Sequence, residues 1–369
     1  MAQAAVEVMR RDLEQNPGDS LGLGPTRRRT TGWLIGLVLA LLGTVVVGLG
    51  VGAFAVPAGT VAQIIGHHLL GWPGERAWSG PVDAIIWQVR MPRVLLGILV
   101  GAGLAVCGVA LQAMVRNVLA DPYLLGVNSG ASTGAAAAIL FGVGVGAFEY
   151  TLQATAFLGA LTASLLVFLV ARTAGRVTSV RLLLAGVAVG YALYATTSFL
   201  IFASGSAEGA RSVLFWLLGS LGLAQWNLPL AITALVVIGS AAVLTCWGRH
   251  LDVLAIGDET AHTLGVCPER LRLRLLVVVA LCVGVVVSAA GSIGFVGLVV
   301  PHLARRAVGA THARVVPVAA LMGAILLVWA DILARTLFQP QEIPIGIITS
   351  LVGAPFLLVL IRRLHATTA

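Results

Sequence analysis

The chain has 369 residues, 59% of them apolar and only 10% charged, with a formal net charge of +8. A mean hydropathy of +0.99 excludes an ordinary soluble domain and marks a chain built to lie in lipid. No stretch alternates in polarity over the roughly 10 residues that a barrel strand needs, so the fold class is an all-α polytopic membrane protein.

Residues 1–32 mix charges of both signs and lead through Arg27, Arg28 and Arg29 into the first apolar run. They lack the short apolar core and cleavage site of a signal peptide and read as a solvated cytoplasmic tail. Apolar runs, of the roughly 20 residues that a hydrocarbon core of about 30 Å requires, then recur through the chain. They lie at 33–56, 93–115, 123–143, 151–171, 182–203, 228–248, 275–290, 292–308, 315–334 and 344–361. These ten spans form one domain, 33–363, followed by a short tail, 364–369.

All 23 basic residues are arginines. With the N-terminus inside, five of them (Arg76, Arg90, Arg93, Arg211 and Arg335) fall outside, and the other 18 (23 − 5) fall in cytoplasmic segments. That bias places both termini in the cytoplasm and makes the positive charge topological rather than a nucleic-acid footprint. Arg90 and Arg93 bracket a proline in "RMPR" at the mouth of the second span. Either they snorkel to lipid headgroups, or they present a docking surface to an acidic partner.

Glycine and alanine are dense within the spans, as in "LLLAGVAVGYALYATTSFLIF", where Gly186 and Gly190 stand four apart. Such residues let helices approach closely, and the wall of a translocation path would need the same ones. A weak internal echo links "GAGLAVCGVALQAMVRN" to "SAAGSIGFVGLVVPHLARR", as repeats in transporters do. Cys107, Cys246, Cys267 and Cys282 form no CxxC pair and are expected to be small buried residues. His302, after Pro301, reads as a satisfied packing residue. His67 and His68 are neighbours whose side chains point apart, so no metal site is indicated.

A phosphate-cradling loop of the form GxxxxGK[ST] needs a lysine, and the chain has none. Ion coupling usually needs ionisable groups inside the spans. Asp331 is the one acid clearly within a span, and Arg335 four residues on is spaced to pair with it. No paired catalytic constellation is present, so no catalytic residue is assigned; with no lysine-bearing loop and its one intramembrane acid paired, a transporter built this way would have to draw its energy from elsewhere. The candidate connection is the loop 249–274, containing "LDVLAIGDETAHTLGVCPER". Gly257 followed by Asp258 and Glu259, with Gly265 later, predicts two short helices, the second with acids at the positive end of its dipole and a glycine stop. Such a pair offers a rigid knob for a partner's groove; the bland alternative is an ordinary amphipathic surface loop.

These pieces together resemble the permease subunits of type II ABC importers, the group that takes up iron-siderophores, haem and cobalamin. The matching stretches are "RMPR", "GAGLAVCGVALQ" with "RNVLADPYLLG", "LLLAGVAVG", "WLLGSL", "AIGDETAHTLGV", "GSIGFVGLVVPHLAR", "LVWADILART" and "EIPIGIITSLVGAPFLLVLI". They occur in the family's order from about Val89 to Arg363; Val118 stands where the family usually shows proline.

The resemblance implies a ten-span subunit that dimerises, with a second copy or a sister permease, around a central path. A pair of ABC ATPase subunits would sit below it and an extracytoplasmic solute-binding protein above. It implies that Arg90, Arg93 and Arg335 meet acidic residues of the binding protein, and that Gly257, Asp258, Glu259, Ala261, Leu264 and Gly265 seat in the ATPase. More loosely, it places Thr178 and Ser179 where the path narrows on the inner side. The chain would bind no cofactor directly, ATP being used by the partner, and would be no enzyme itself. A multi-pass subunit of the cytoplasmic membrane importing a ferric siderophore is the expectation, with cobalamin or haem as the alternative solute. A stand-alone secondary transporter is a remote alternative, and a membrane-embedded enzyme a remoter one.

Overall fold

The computed structural model describes residues 24–52, 54–144, 150–172 and 178–366, and among these every regular element is helical. Helix α1 spans Gly24–Gly50 and α2 Ala58–Leu70. A short α3, Gly80–Ala84, runs through a π-helical segment, Ile85–Arg90, into α4, Met91–Val115. Pro92 has no N–H to give to the preceding turn, and the widened π segment stands immediately before it. A 3-10 turn, Pro122–Leu125, introduces α5, Val127–Phe141. Then follow α6, Thr151–Ala171, α7, Ser179–Ser204, α8, Ala207–Leu217, and α9, Leu228–Cys246. The loop expected to hold two short helices does so, as α10, Gly248–Ile256, and α11, Asp258–Thr263. The last four are α12, Pro268–Ala290, α13, Val296–Val308, α14, His312–Thr336, and α15, Ile345–Ala366.

Local chemistry sets several starts. The side chains of Asp121, Thr178, Ser206 and Asn227 accept hydrogen bonds from the backbone N–H groups of Tyr123, Arg181, Gly209 and Leu230, satisfying donors that a first turn leaves orphaned. Among the described residues seven helical stretches are long and apolar enough to cross a membrane, and the three remaining expected spans correspond to α5, α13 and the apolar part of α15. With 13 residues, α13 covers only about 20 Å, because the segment 291–295 before it is not helical. Irregular backbone at membrane depth must find partners within the protein. Here the Tyr123 hydroxyl donates to the Ile293 carbonyl and accepts from the Ile293 N–H, both at 2.9 Å.

The core is organised around α4. In the apolar window of the Gly80–Val115 stretch 78% of residues are buried, against 17% in α1, so α4 is the axis of the bundle and α1 lies on its rim. Helices α9, α12, α13 and α14 pack around it. Two glycine pairs let neighbours close on α4: a Cβ on Gly101 would overlap the Gly323 carbonyl of α14, and one on Gly108 would overlap the Gly297 carbonyl of α13.

Several expectations are corrected. The first helix ends at Gly50 rather than at 56, and α2, the α3 and π segment, and α8 stand where only connections were expected. Cys107 and Cys282 are buried, but Cys246 and Cys267 are exposed, because one ends α9 and the other caps the start of α12. His302 packs edge-on against Phe356, yet its buried Nε2 has no hydrogen-bond partner, so it is not a satisfied residue. Of the arginines expected in cytoplasmic segments, Arg176 lies outside the described residues, as does most of the N-terminal tail.

Candidate docking and coupling sites

At the end of α4 that carries Arg93, the structure brings Arg90, Arg93 and Arg335 together. Arg90 turns its guanidinium into the C-terminal end of α1 and donates to the carbonyls of Leu49 at 2.7 Å, Gly50 at 3.2 Å and Phe54 at 2.5 Å. Arg335 donates to the carbonyls of Gly48 at 3.1 Å and Val51 at 3.3 Å. The last carbonyls of a helix lack intrahelical partners and sit at the negative end of its dipole, so two cations there satisfy both needs.

Asp331 lies between the other two guanidinium groups, 2.9 Å from Arg93 and 3.0 Å from Arg335, with its side chain 2% exposed. The expected Asp331–Arg335 pair is thus present, and Arg93 joins it. The Nη1 and Nη2 of Arg93 also donate to the two oxygens of Glu342, at 3.0 and 2.9 Å. Glu342, to which no site role is assigned from the sequence, is half exposed. All three arginines are buried, so they do not snorkel to headgroups: their charge is turned into the protein. A cavity of about 500 Å³ opens beside the cluster, with Arg93, Ser212, Trp216, Ser220, Asp331 and Glu342 in its wall.

The paired histidines lie near the same end and do part company, as their adjacency required. His67 shares hydrogen bonds with the Pro73 carbonyl at 2.8 Å and the Arg76 Nε at 3.2 Å. His68 is paired with Asp83 at 3.1 Å and stacks on Trp87, with ring centroids 4.2 Å apart.

At the opposite end lies the α10–α11 loop. Gly257, at φ 150°, breaks the two helices apart, and Gly265, at φ 78°, ends the second in a left-handed conformation that glycine adopts without strain. Ala261 is fully buried and anchors α11, while Ile256 and Leu264 are 68% and 59% exposed and flank it as an apolar knob. Glu259 is exposed. Asp258 faces inward: both its oxygens accept from Arg272, at 2.7 and 3.0 Å, and Arg116 stands 4.0 Å away. The hydrogen bonds from Arg272 hold the Asp258 carboxyl below the usual carboxylate range despite partial burial.

Thr178 and Ser179 start α7 and differ in setting. Thr178 is exposed and caps the helix. Ser179 is buried, donates to the Met114 carbonyl at 3.2 Å and accepts from Arg272 at 3.2 Å, so its hydroxyl is turned toward α4 and α12. In the sequence Arg272 is one more arginine of the loop 249–274; it lies fourteen positions beyond Asp258, and no local spacing signals the pair.

Residues 33–363 match the FecCD transport family. The chain is 42% identical over 323 residues to a cobalamin import system permease protein of Halobacterium salinarum, covering 84% of this chain and 85% of that protein. It is 41% identical over 292 residues to a hemin transport system permease protein of Yersinia pestis, covering 78% and 86%. To an Fe(3+)-citrate import system permease protein of Bacillus subtilis it is 38% identical over 338 residues, covering 91% and 97%. Among solved structures it is similar to an inward-facing metal-chelate type ABC transporter, with a TM-score of 0.77, 34% identity, and coverage of 89% of this chain and 98% of that one. A family match over nearly the whole length, carried by an all-helical membrane bundle, means that the chain belongs to the FecCD transport family and is the membrane-spanning permease subunit of an ABC importer.

Proposed function

We propose that this permease imports a ferric siderophore by alternating access. A solute-binding protein docked at the Arg90, Arg93 and Arg335 end would release its load into a path between two permease copies, or between this chain and a sister permease. An ATPase pair seated on Gly257, Asp258, Glu259, Ala261, Leu264 and Gly265 would drive the switch, with Thr178 and Ser179 at the inner narrowing. In this reading both termini are cytoplasmic, and ATP is bound by the partner rather than by this chain.

The observation that carries this division of labour is the state of Asp331. A proton- or sodium-coupled carrier needs an ionisable group in its spans that can change partner or charge. Asp331 is instead locked between two guanidinium groups with 2% of its side chain exposed, so it is poorly placed to cycle. The exposed knob of Ile256 and Leu264 beside buried Ala261 supports a seat for a partner subunit. An iron chelate as solute is supported by similarity to an Fe(3+)-citrate permease and to a metal-chelate transporter. Cobalamin is the second reading, favoured by the 42% identity to a cobalamin permease.

The test is the ligand preference of the cognate binding protein, titrated with ferric hydroxamate, ferric catecholate, ferric citrate, haem and cobalamin. Tightest binding of a ferric siderophore is expected; tightest binding of cobalamin or haem would overturn the solute assignment.

A further inference from the structure

Arg272 is a buried cation, its side chain 2% exposed, in the second turn of α12. A buried charge is tolerated only where its donors are fully used. Here Nη1 and Nη2 donate to Asp258 at 3.0 and 2.7 Å, Nη2 also reaches the Ser179 hydroxyl at 3.2 Å, and Nε reaches the Met114 carbonyl at 3.4 Å. Each partner begins or ends an element. Asp258 is the first residue of α11, Ser179 the first of α7, and Met114 stands one residue before the end of α4. The planar fork of one guanidinium therefore ties four helices at a point.

The joint has a counterpart at the far end of the same axis. Arg93 and Met114 are 21 residues apart on α4, about 32 Å along a helix, so the two buried arginine clusters grip opposite ends of the central helix. Ser179 connects directly to the same point: its hydroxyl links Arg272 to the Met114 carbonyl.

We propose that Arg272 is the positioning residue through which displacement of α11 reaches the inner ends of α4 and α7. This rests on the reading that α11 seats in the ATPase. Two near-parallel charge-assisted bonds to Asp258 resist both sliding and rotation, whereas a lysine ammonium would keep the charge and lose the fork. Moving Asp258 without moving Arg272 would strand a buried cation, so the two travel together and pull on Ser179 and Met114.

The test needs no knowledge of the solute. The complete complex of permease and ATPase is reconstituted with Cys246 and Cys267 replaced by serine and a reporter cysteine at exposed Val180, in the first turn of α7. ATP hydrolysis and the rate of maleimide labelling are measured with and without ATP and vanadate. The unaltered joint should change its labelling rate at least fivefold on trapping. Arg272→Lys should keep hydrolysis within about twofold and lose most of that response, a split that mere destabilisation would not produce. Ser179→Ala, which cuts only the branch to α7, should reduce the response about threefold and decides the matter if the lysine variant does not assemble. A full response in the assembled Arg272→Lys complex, or in Ser179→Ala where the lysine variant fails to assemble, overturns the relay. Leu264→Asp separates the two ideas: if it leaves ATPase binding intact, the seating of α11 itself is wrong. If it abolishes binding while Arg272→Lys responds fully, only the relay is wrong.

Discussion

Arg93 and Glu342 meet as a two-point ion pair, 3.0 and 2.9 Å across, and the surface at this end of α4 presents the glutamate rather than the arginine. Glu342 is 50% exposed and the Arg93 side chain 10%. If a binding-protein carboxylate is to reach Arg93, it must compete with one already in place.

That competition has a sign. Glu342→Gln removes the competing charge while keeping a similar shape, so affinity for the binding protein is expected to rise about threefold, the scale of a partly exposed pair. Arg93→Glu adds repulsion and should lower affinity at least tenfold, more at low salt because screening weakens the effect. Binding measured on permease in nanodiscs checks both. Weaker binding by Glu342→Gln would mean that the glutamate itself faces the partner.

Asp331 is the counter-ion of two buried arginines, and Asp331→Asn leaves them undercompensated. Breaking a buried pair by removing one partner typically costs about 3–5 kcal/mol. A clear drop in the unfolding midpoint of the detergent-solubilised subunit is expected. Asp331→Leu combined with Arg335→Leu should recover part of the loss that Asp331→Leu alone produces. An Asp331→Asn variant that melts with the parent would show that the counter-ion contributes nothing measurable to stability.

Two glycines should fail in different ways. A side chain on Gly101 meets the Gly323 backbone, so Gly101→Val is expected to cost about 3 kcal/mol or more through overpacking and to leave little folded protein. Gly265 has open space around it but φ 78°, so Gly265→Val strains the backbone alone, by about 1–2 kcal/mol. That subunit should insert and migrate as a monodisperse species yet lose coupled transport. Size-exclusion profiles beside uptake assays separate the cases.

The orientation read from the arginines predicts that Cys267 and a cysteine at exposed Ala77 lie on opposite faces. With the other cysteines replaced, an impermeant maleimide added to intact cells should label the position-77 cysteine and spare Cys267. Labelling of both from outside would refute the ten-span arrangement.

Much of the bundle was legible because lipid imposes length and polarity together. The run at 151–171 is the helix Thr151–Ala171, and Gly257 and Gly265 marked the ends of α11 because each carries a positive φ. Helix α2 was missed because its 13 residues are too few to span and its start at Pro57 and stop at Gly71 look like loop punctuation. The arginine bias singled out Arg90, Arg93 and Arg335, but not that they bury themselves against α1 carbonyls, Asp331 and Glu342. Those contacts join residues up to 287 positions apart, and no local spacing encodes them. The same holds for Arg272, whose charge looked topological until Asp258 folded back on it.

This permease is proposed to move solute only as part of an ATP-driven machine. The most direct measurement is uptake of an iron-loaded siderophore, one bound by the cognate binding protein, into proteoliposomes holding the permease with or without its ATPase subunits. Uptake should require the ATPase, internal or external ATP according to orientation, and the loaded binding protein, and it should persist when the proton gradient is collapsed. Uptake by the permease alone, driven by an imposed proton gradient, would contradict the account.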